Sequence, residues 1–191
     1  MANVSEKFGL RPVRKLDGSP FINAQNRYRI ASGYATAIFQ GDLVTPVAAG
    51  GITRHTANTT NAVVGVFNGV FYTDPTTAKP TWKNYYPGSI TASDIIATVL
   101  DDPDLVSTID SDGAFAAADI FKNFSVTNVT GNTNTGTSKV QLDYSVSGTA
   151  STFVIQAIDI SQNVDTSDAG SANVNVLVRI NNHFYRSGTG L

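Results

Sequence analysis

The two histidines are the first candidates for chemistry, because imidazole is the side chain that titrates closest to neutral pH. His55 lies in a short alternating run and His183 follows the last predicted strand. Neither has a nucleophile motif such as Gly-x-Ser-x-Gly beside it, and the chain contains no cysteine. The sequence therefore predicts structural roles for both histidines.

Five aspartates that lie close together in the sequence are the second candidates, for carboxylate catalysis or for calcium binding. They are Asp101, Asp102, Asp104, Asp110 and Asp112. An EF-hand loop needs a terminal glutamate, and the only glutamate is Glu6. We interpret them as acidic turns, with a calcium site of another type and a carboxylate hydrolase as alternatives. The prediction is a protein that is not an enzyme, with no catalytic residue, metal or cofactor.

The composition favours β-structure over helices. The chain has 191 residues, of which 16 are glycines. Only 15% of all residues are charged, and the formal net charge is −2. Its polar residues are mainly Thr, Ser and Asn, which suit strands and turns. A mildly acidic chain predicts no nucleic-acid partner, and no apolar run is long enough to predict a membrane span.

Short apolar runs separated by turn residues predict an all-β fold, a small β-barrel or sandwich of short antiparallel strands. We divide the chain into an extended N-terminal arm (1–29), a barrel-like core (30–113), and a short helix with further strands (114–191). The last segment is either a second β subdomain or the completion of the same core. The helix is predicted at 114–121, and Asn68-Gly69 predicts a hairpin turn. Valines alternate cleanly in the last strand, at 173–180.

The N-terminal arm is the basic part of the chain. Six of the 13 lysines and arginines lie within residues 1–29, where prolines and glycines interrupt any regular pattern. Its apolar side chains favour an arm that lies on a partner surface, with a frayed terminus as the alternative. We expect its removal to leave a folded β core. The predicted contact residues are Lys7, Phe8, Leu10, Arg11, Arg14, Lys15 and Phe21.

Aromatic residues cluster between positions 67 and 86. Tyrosine and tryptophan are enriched in protein interfaces, so this cluster predicts core packing together with a subunit contact. A platform on which sugar rings stack is the alternative. The predicted interface residues are Phe71, Tyr72, Trp82, Tyr85 and Tyr86.

Several stretches of the chain carry a resemblance to a known family. They are AIFQGDLVTPV, NAVVGVFNGVFYTD, YYPGS and ATVLDDPDLVSTIDSDGAFAAADI, together with FGLRPVR and YRIASGYAT near the start and SANVNVLVRINNHFYR near the end. These stretches resemble small structural proteins of podovirus-type tailed bacteriophages that are encoded near the major capsid protein. The polar stretch TNVTGNTNTGTS matches no motif of that family.

The resemblance implies a head decoration, or cement, protein that binds the outside of the phage capsid and locks neighbouring capsomers together. Its implied partners are the major capsid protein, which the arm would contact, and further copies of itself, as a homotrimer or alternatively a homodimer. The implied location is the outer surface of the virion capsid, after synthesis in the cytoplasm of a bacterial host. A phage fibre or tail protein, or a β module that binds host glycans, is the alternative.

Overall fold

The structure, a computed structural model, describes residues 3–188 and 190–191. This part of the chain is built almost entirely from short β-strands, which confirms the predicted all-β fold class. The strands are β1 (Arg11–Lys15), β2 (Asn26–Arg29), β3 (Leu43–Val47), β4 (Gly51–Arg54), β5 (Gly65–Thr73), β6 (Pro80–Lys83), β7 (Ile96–Leu100), β8 (Leu105–Asp110), β9 (Asn123–Val126), β10 (Leu142–Gly148), β11 (Ile155–Ile160) and β12 (Asn175–Ile180). A 3-10 turn covers Ala117–Asp119 and a short helix, α1, covers Phe184–Ser187.

The strands form two antiparallel sheets. Sheet A has the order β1-β8-β12-β11-β9-β10. Sheet B has the order β2-β7-β5-β3-β4, and β6 pairs with β5. The buried apolar side chains form two clusters: one lies within sheet B, and the other joins residues of sheet A to Leu43, Val66 and Leu100 on strands of sheet B.

The core of sheet A follows the predicted alternation. Val176, Val178 and Ile180 on β12 are buried and belong to one apolar cluster. Phe115 and Phe124 pack in the same cluster with ring centroids 5.7 Å apart. The alternation predicts the buried face because side chains two residues apart on a strand point to the same side.

Sheet B curves into a barrel in which its two end strands, β2 and β4, meet, and β2 comes from the segment predicted as the arm. A Cβ atom added to Gly51 on β4 would lie 2.7 Å from the carbonyl oxygen of Arg29 on β2. Such a close backbone approach is possible only at a glycine. The side chains enclosed by this curvature include Phe67, Tyr72 and Tyr86.

The hairpin predicted at Asn68-Gly69 is wrong, because β5 runs through both residues without turning. The register between β5 and β7 shifts between Phe67 and Gly69, so Asn68 is the extra residue of a β-bulge. The bulge lets both Phe67 and Val70 face the core although they are three residues apart. Asn68 Nδ2 donates a hydrogen bond to Gln25 Oε1 at 2.9 Å, which holds the bulge.

The N-terminal segment differs from the predicted irregular arm, of which residues 1 and 2 lie outside the described part. It contains β1 and β2, each of which forms an end strand of a different sheet. Phe8 and Leu10 are buried, with 4% and 2% of their surfaces exposed, and Leu10 packs in the same cluster as Leu43. The segment is therefore part of the folded core. Its strands pair with β8 and β7, which are far along the chain, so it is held by tertiary contacts.

The predicted boundary at 113/114 does not separate the two sheets. Sheet A takes β1 from the predicted arm, β8 from the predicted core segment, and its other four strands from the last segment. The predicted helix at 114–121 is reduced to the 3-10 turn Ala117–Asp119. It is limited to these three residues because Ala116 before it (ψ 164°) and Ile120 after it (ψ 139°) both have non-helical backbone conformations.

A buried ion pair joins the sheet B barrel to the polar stretch that ends at Ser138. Arg54 Nε lies 3.0 Å from Asp42 Oδ2, and Asp42 is 1% exposed. Ser138 Oγ donates to Asp42 Oδ1 at 2.6 Å, and the backbone N–H of Phe39 donates to Oδ2 at 2.9 Å. Asp42 thus satisfies donors from three separate parts of the chain.

Candidate functional site

Both histidines lie inside the fold and make structural hydrogen bonds. His55 Nδ1 is 3.1 Å from Thr45 Oγ1, and burial lowers the pKa of His55 to about 4. His183 Nδ1 accepts a hydrogen bond from the backbone N–H of Tyr185 at 3.2 Å and so caps α1. Burial also lowers the pKa of His183. At neutral pH both imidazoles are therefore uncharged parts of the core.

The five aspartates do not converge on one point. Each carboxylate has its own structural partner: Asp101 with Tyr28, Asp102 with Lys15, Asp104 with Arg186, Asp110 with Gln141, and Asp112 with Tyr144. Among the residues that the structure describes, no group of three or more His, Asp or Glu side chains could hold a metal ion. The arrangement stabilises turns and strand ends.

Asp110 differs from the other four because it is completely buried. Its Oδ2 accepts a hydrogen bond from Gln141 Nε2 at 2.9 Å, while Oδ1 has no hydrogen-bond partner within the described chain. Burial raises the pKa of Asp110 to about 6, against the opposing effect of the Gln141 hydrogen bond. The folded protein thus holds this proton at a pH where an unfolded chain has released it.

We expect this carboxyl group to make the protein less stable as pH rises. With a folded-state pKa of about 6 and an unfolded value near 3.8, its stabilising effect is complete below pH 3.8 and lost by pH 6. Asp110→Asn should remove this dependence and raise the free energy of unfolding at pH 7 by about 1–3 kcal/mol. Urea unfolding at several pH values measures this. Parallel stability profiles for Asp110→Asn and wild type would contradict the prediction.

The N-terminal residues predicted to contact a partner divide into three groups by their burial. Lys7 and Arg11 are exposed, while Arg14, Lys15 and Phe21 are half-buried. Lys15 Nζ is engaged with Asp102 Oδ2 at 2.7 Å. Phe8 and Leu10 are buried against this chain itself, so they are not presented to a partner in this conformation.

Three apolar side chains on β1 and in the stretch that follows it are exposed instead. Val13, Leu16 and Ile22 are 50%, 41% and 76% exposed. The chain turns after β1 and runs back along it, with Arg14 bridged antiparallel to Pro20. Ile22 is therefore carried back towards the start of β1. We call this surface the β1 edge: Lys7, Arg11, Val13, Arg14, Leu16 and Ile22.

The strand alternation separates the predicted aromatic interface into buried and exposed residues. Tyr72 and Tyr86 are 1% and 0% exposed and belong to the core of sheet B. Tyr85 is half-buried and stacks on Phe39, with ring centroids 5.4 Å apart. Phe71 and Trp82 remain, at 43% and 61% exposed.

Phe71 and Trp82 form one wall of a cleft on the outer face of sheet B. Phe71 is paired with Trp82 on β6 and with Ile96 on β7, so the three side chains lie in one row across the sheet. The cleft has a volume of about 550 Å³. We call it the Trp82 cleft, and its lining residues are Arg27, Phe71, Trp82, Asp94, Ile96 and Thr98.

Gly69 makes room for the tryptophan ring of the cleft. A Cβ atom added to Gly69 would lie 2.9 Å from Cζ2 of Trp82. The ring therefore lies across the backbone of β5 because residue 69 has no side chain. Sequence reasoning missed this role, since it assigned Gly69 to a turn.

Comparison with protein-family models, with curated proteins and with solved structures found no match to this chain. Within the described residues, none of the helices has the length and apolar character required to cross a bilayer.

Proposed function

We propose that this chain is a structural component of a tailed-phage virion that binds the outside of the capsid and cements neighbouring capsomers. The observation that carries the proposal is the β1 edge. It combines exposed cationic side chains with three exposed apolar ones on β1 and in the stretches directly before and after it, and β1 is an end strand of sheet A. The partner we propose is the major capsid protein, which is inferred from the resemblance to phage structural proteins.

The apolar residues of the β1 edge should supply most of the affinity. Exposed ion pairs contribute about 1 kcal/mol or less each. Burial of apolar surface contributes about 25 cal/mol per Å², and Val13, Leu16 and Ile22 all have surface left to bury. Repeated weak contacts then add up around a closed shell by multivalency. Phe8 and Leu10 hold the segment in place from inside.

Replacing all three apolar residues of the β1 edge should therefore weaken attachment strongly. We expect the Val13→Ser, Leu16→Ser, Ile22→Ser variant to bind purified phage heads at least about tenfold more weakly than wild type. Arg11→Gln with Arg14→Gln should have a smaller effect that disappears at high salt. Co-sedimentation of the protein with heads measures both.

The control for this experiment is Val129→Ser, because Val129 is 39% exposed and its carbonyl oxygen accepts a hydrogen bond from Arg54 on β4, in the other sheet. It should bind heads like wild type. Unchanged binding by the triple variant would show that another surface holds the capsid. A larger loss in the double arginine variant would show that charge dominates.

The glycan-binding alternative has one observation in its favour, the exposed ring of Trp82 beside Arg27 and Thr98. Sugar rings stack on exposed aromatic faces and need polar partners around them. A glycan array with wild type and Trp82→Ala tests this alternative. Sugar binding that disappears in the variant would support it, and equal signals for both proteins would reject it.

A further inference from the structure

Phe121 is an exposed aromatic side chain held in an unfavourable backbone conformation. It is 75% exposed and has a φ of 72°, in the left-handed region that bulky residues rarely adopt. Its N–H donates to Ala157 O at 3.0 Å, and Ala157 N–H donates to Lys122 O at 3.0 Å. Both sides of Phe121 are thus fixed to β11, and the ring is presented outwards.

The backbone conformation of Phe121 is fixed by its pairing with β11, but its exposed ring is left uncovered within the described chain. Strained residues that are fixed by their surroundings concentrate at functional sites. An asparagine would tolerate the same backbone conformation without exposing an apolar ring. Phe121 therefore has the properties of an anchor residue for an interface, for which aromatic side chains are preferred.

The Trp82 cleft is the apolar recess that such an anchor would fill. Trp82, Phe71 and Ile96 form its walls and leave two aromatic faces exposed. Phe121 is attached to sheet A, whereas the cleft lies on sheet B. Because both are exposed in the same chain, they do not cover each other, and only another molecule can bring them together.

The charges around the two features are complementary. Lys122 beside Phe121 is 47% exposed at its side chain, and Asp159 on β11 is exposed. The cleft carries the carboxylate of Asp94 and the guanidinium of Arg27. Lys122 and Asp94 already have partners within the chain, because Lys122 Nζ pairs with Asp119 Oδ1 at 2.7 Å and both oxygens of Asp94 accept from Thr73. A second copy can therefore set the exposed Asp159 against the exposed Arg27 when the ring enters the cleft.

We propose that this protein associates with itself head to tail, with Phe121 of one copy inserted into the Trp82 cleft of the next. Such a contact uses different surfaces on the two molecules, so it closes into a ring where the rotation allows and extends otherwise. This proposal needs no capsid and does not involve the β1 edge. Its failure would therefore leave the proposed attachment to heads untouched.

The test uses two variants of the full chain, each of which disables one side of the contact. Phe121→Asn removes the ring and relieves the strained backbone, so the fold should keep or gain thermal stability. Trp82→Ala opens the cleft at an exposed position. Sedimentation velocity over a concentration series should show that wild type assembles and that each variant associates at least about tenfold more weakly. Val164→Asn should assemble like wild type.

Mixing the two variants gives the decisive result. The Trp82→Ala protein retains Phe121 and the Phe121→Asn protein retains the cleft, so the mixture should form a heterodimer and stop there. A monomeric wild type, an unaffected Phe121→Asn variant, or a mixture without heterodimers would each overturn the proposal. The last result would indicate a symmetric contact between two clefts.

Discussion

Asp42→Asn is expected to lower the free energy of unfolding by about 3–5 kcal/mol, because it leaves one partner of a buried ion pair without its counter-charge. The Arg54 side chain is only 9% exposed, so the uncompensated guanidinium cannot return fully to water. The hydrogen bond from Ser138 to the same carboxylate weakens as well. Urea denaturation monitored by circular dichroism measures the change.

A surface ion pair provides the control for Asp42. Asp104 pairs with Arg186 at 54% and 37% side-chain exposure. Asp104→Asn should lower the free energy of unfolding by about 1 kcal/mol or less, since water screens exposed pairs. Equal losses in the two variants would contradict the role of Asp42 as the junction between the sheet B barrel and Ser138.

Leu10→Ala is expected to lower the free energy of unfolding by about 2–5 kcal/mol, the range for removing a large side chain from a packed core. Leu10 belongs to the same apolar cluster as Leu43, Val66 and Leu100, which lie on β3, β5 and β7 of sheet B. The loss would show that the N-terminal segment belongs to the core. Chemical denaturation with a two-state fit provides the value.

Val13 is the matched control for Leu10, because it lies three residues further along the same segment and is 50% exposed. Val13→Ala should change the free energy of unfolding by no more than about 0.5 kcal/mol. A Leu10→Ala variant that is as stable as wild type would show that the N-terminal segment is an arm that does not contribute to the core. In that case removal of residues 1–29 would leave a folded protein.

The fold class and several buried faces could be predicted from local patterns. The alternation at Val176, Val178 and Ile180 is itself the physical cause of a strand with one buried face. The same reasoning failed at Asn68-Gly69, because a bulge and a turn use the same residue types. Only the pairing of β5 with β7, distant in sequence, distinguishes them.

The candidate sites were less predictable because exposure depends on tertiary contacts. Leu10 lies in no periodic pattern, and its partners Leu43 and Val66 are more than 30 residues away. Phe71 and Tyr72 are neighbours in the sequence, yet one faces solvent and the other the core. The alternation of inward and outward side chains along β5 could have distinguished Phe71 from Tyr72. The turn predicted at Gly69 interrupted the strand, so the alternation could not be followed across it. Phe121 gave no sequence signal, since its positive φ follows from pairing with β11.

A cement on the outside of a phage head must be visible on intact particles. Cryo-electron microscopy of mature virions, compared with virions made without this chain, is therefore the decisive measurement. We expect additional β-rich density across capsomer seams that is missing without the chain, with the β1 edge against the major capsid protein. Virions that lack the chain in both samples, or that carry it only on the tail, would rule out the proposed attachment to the head.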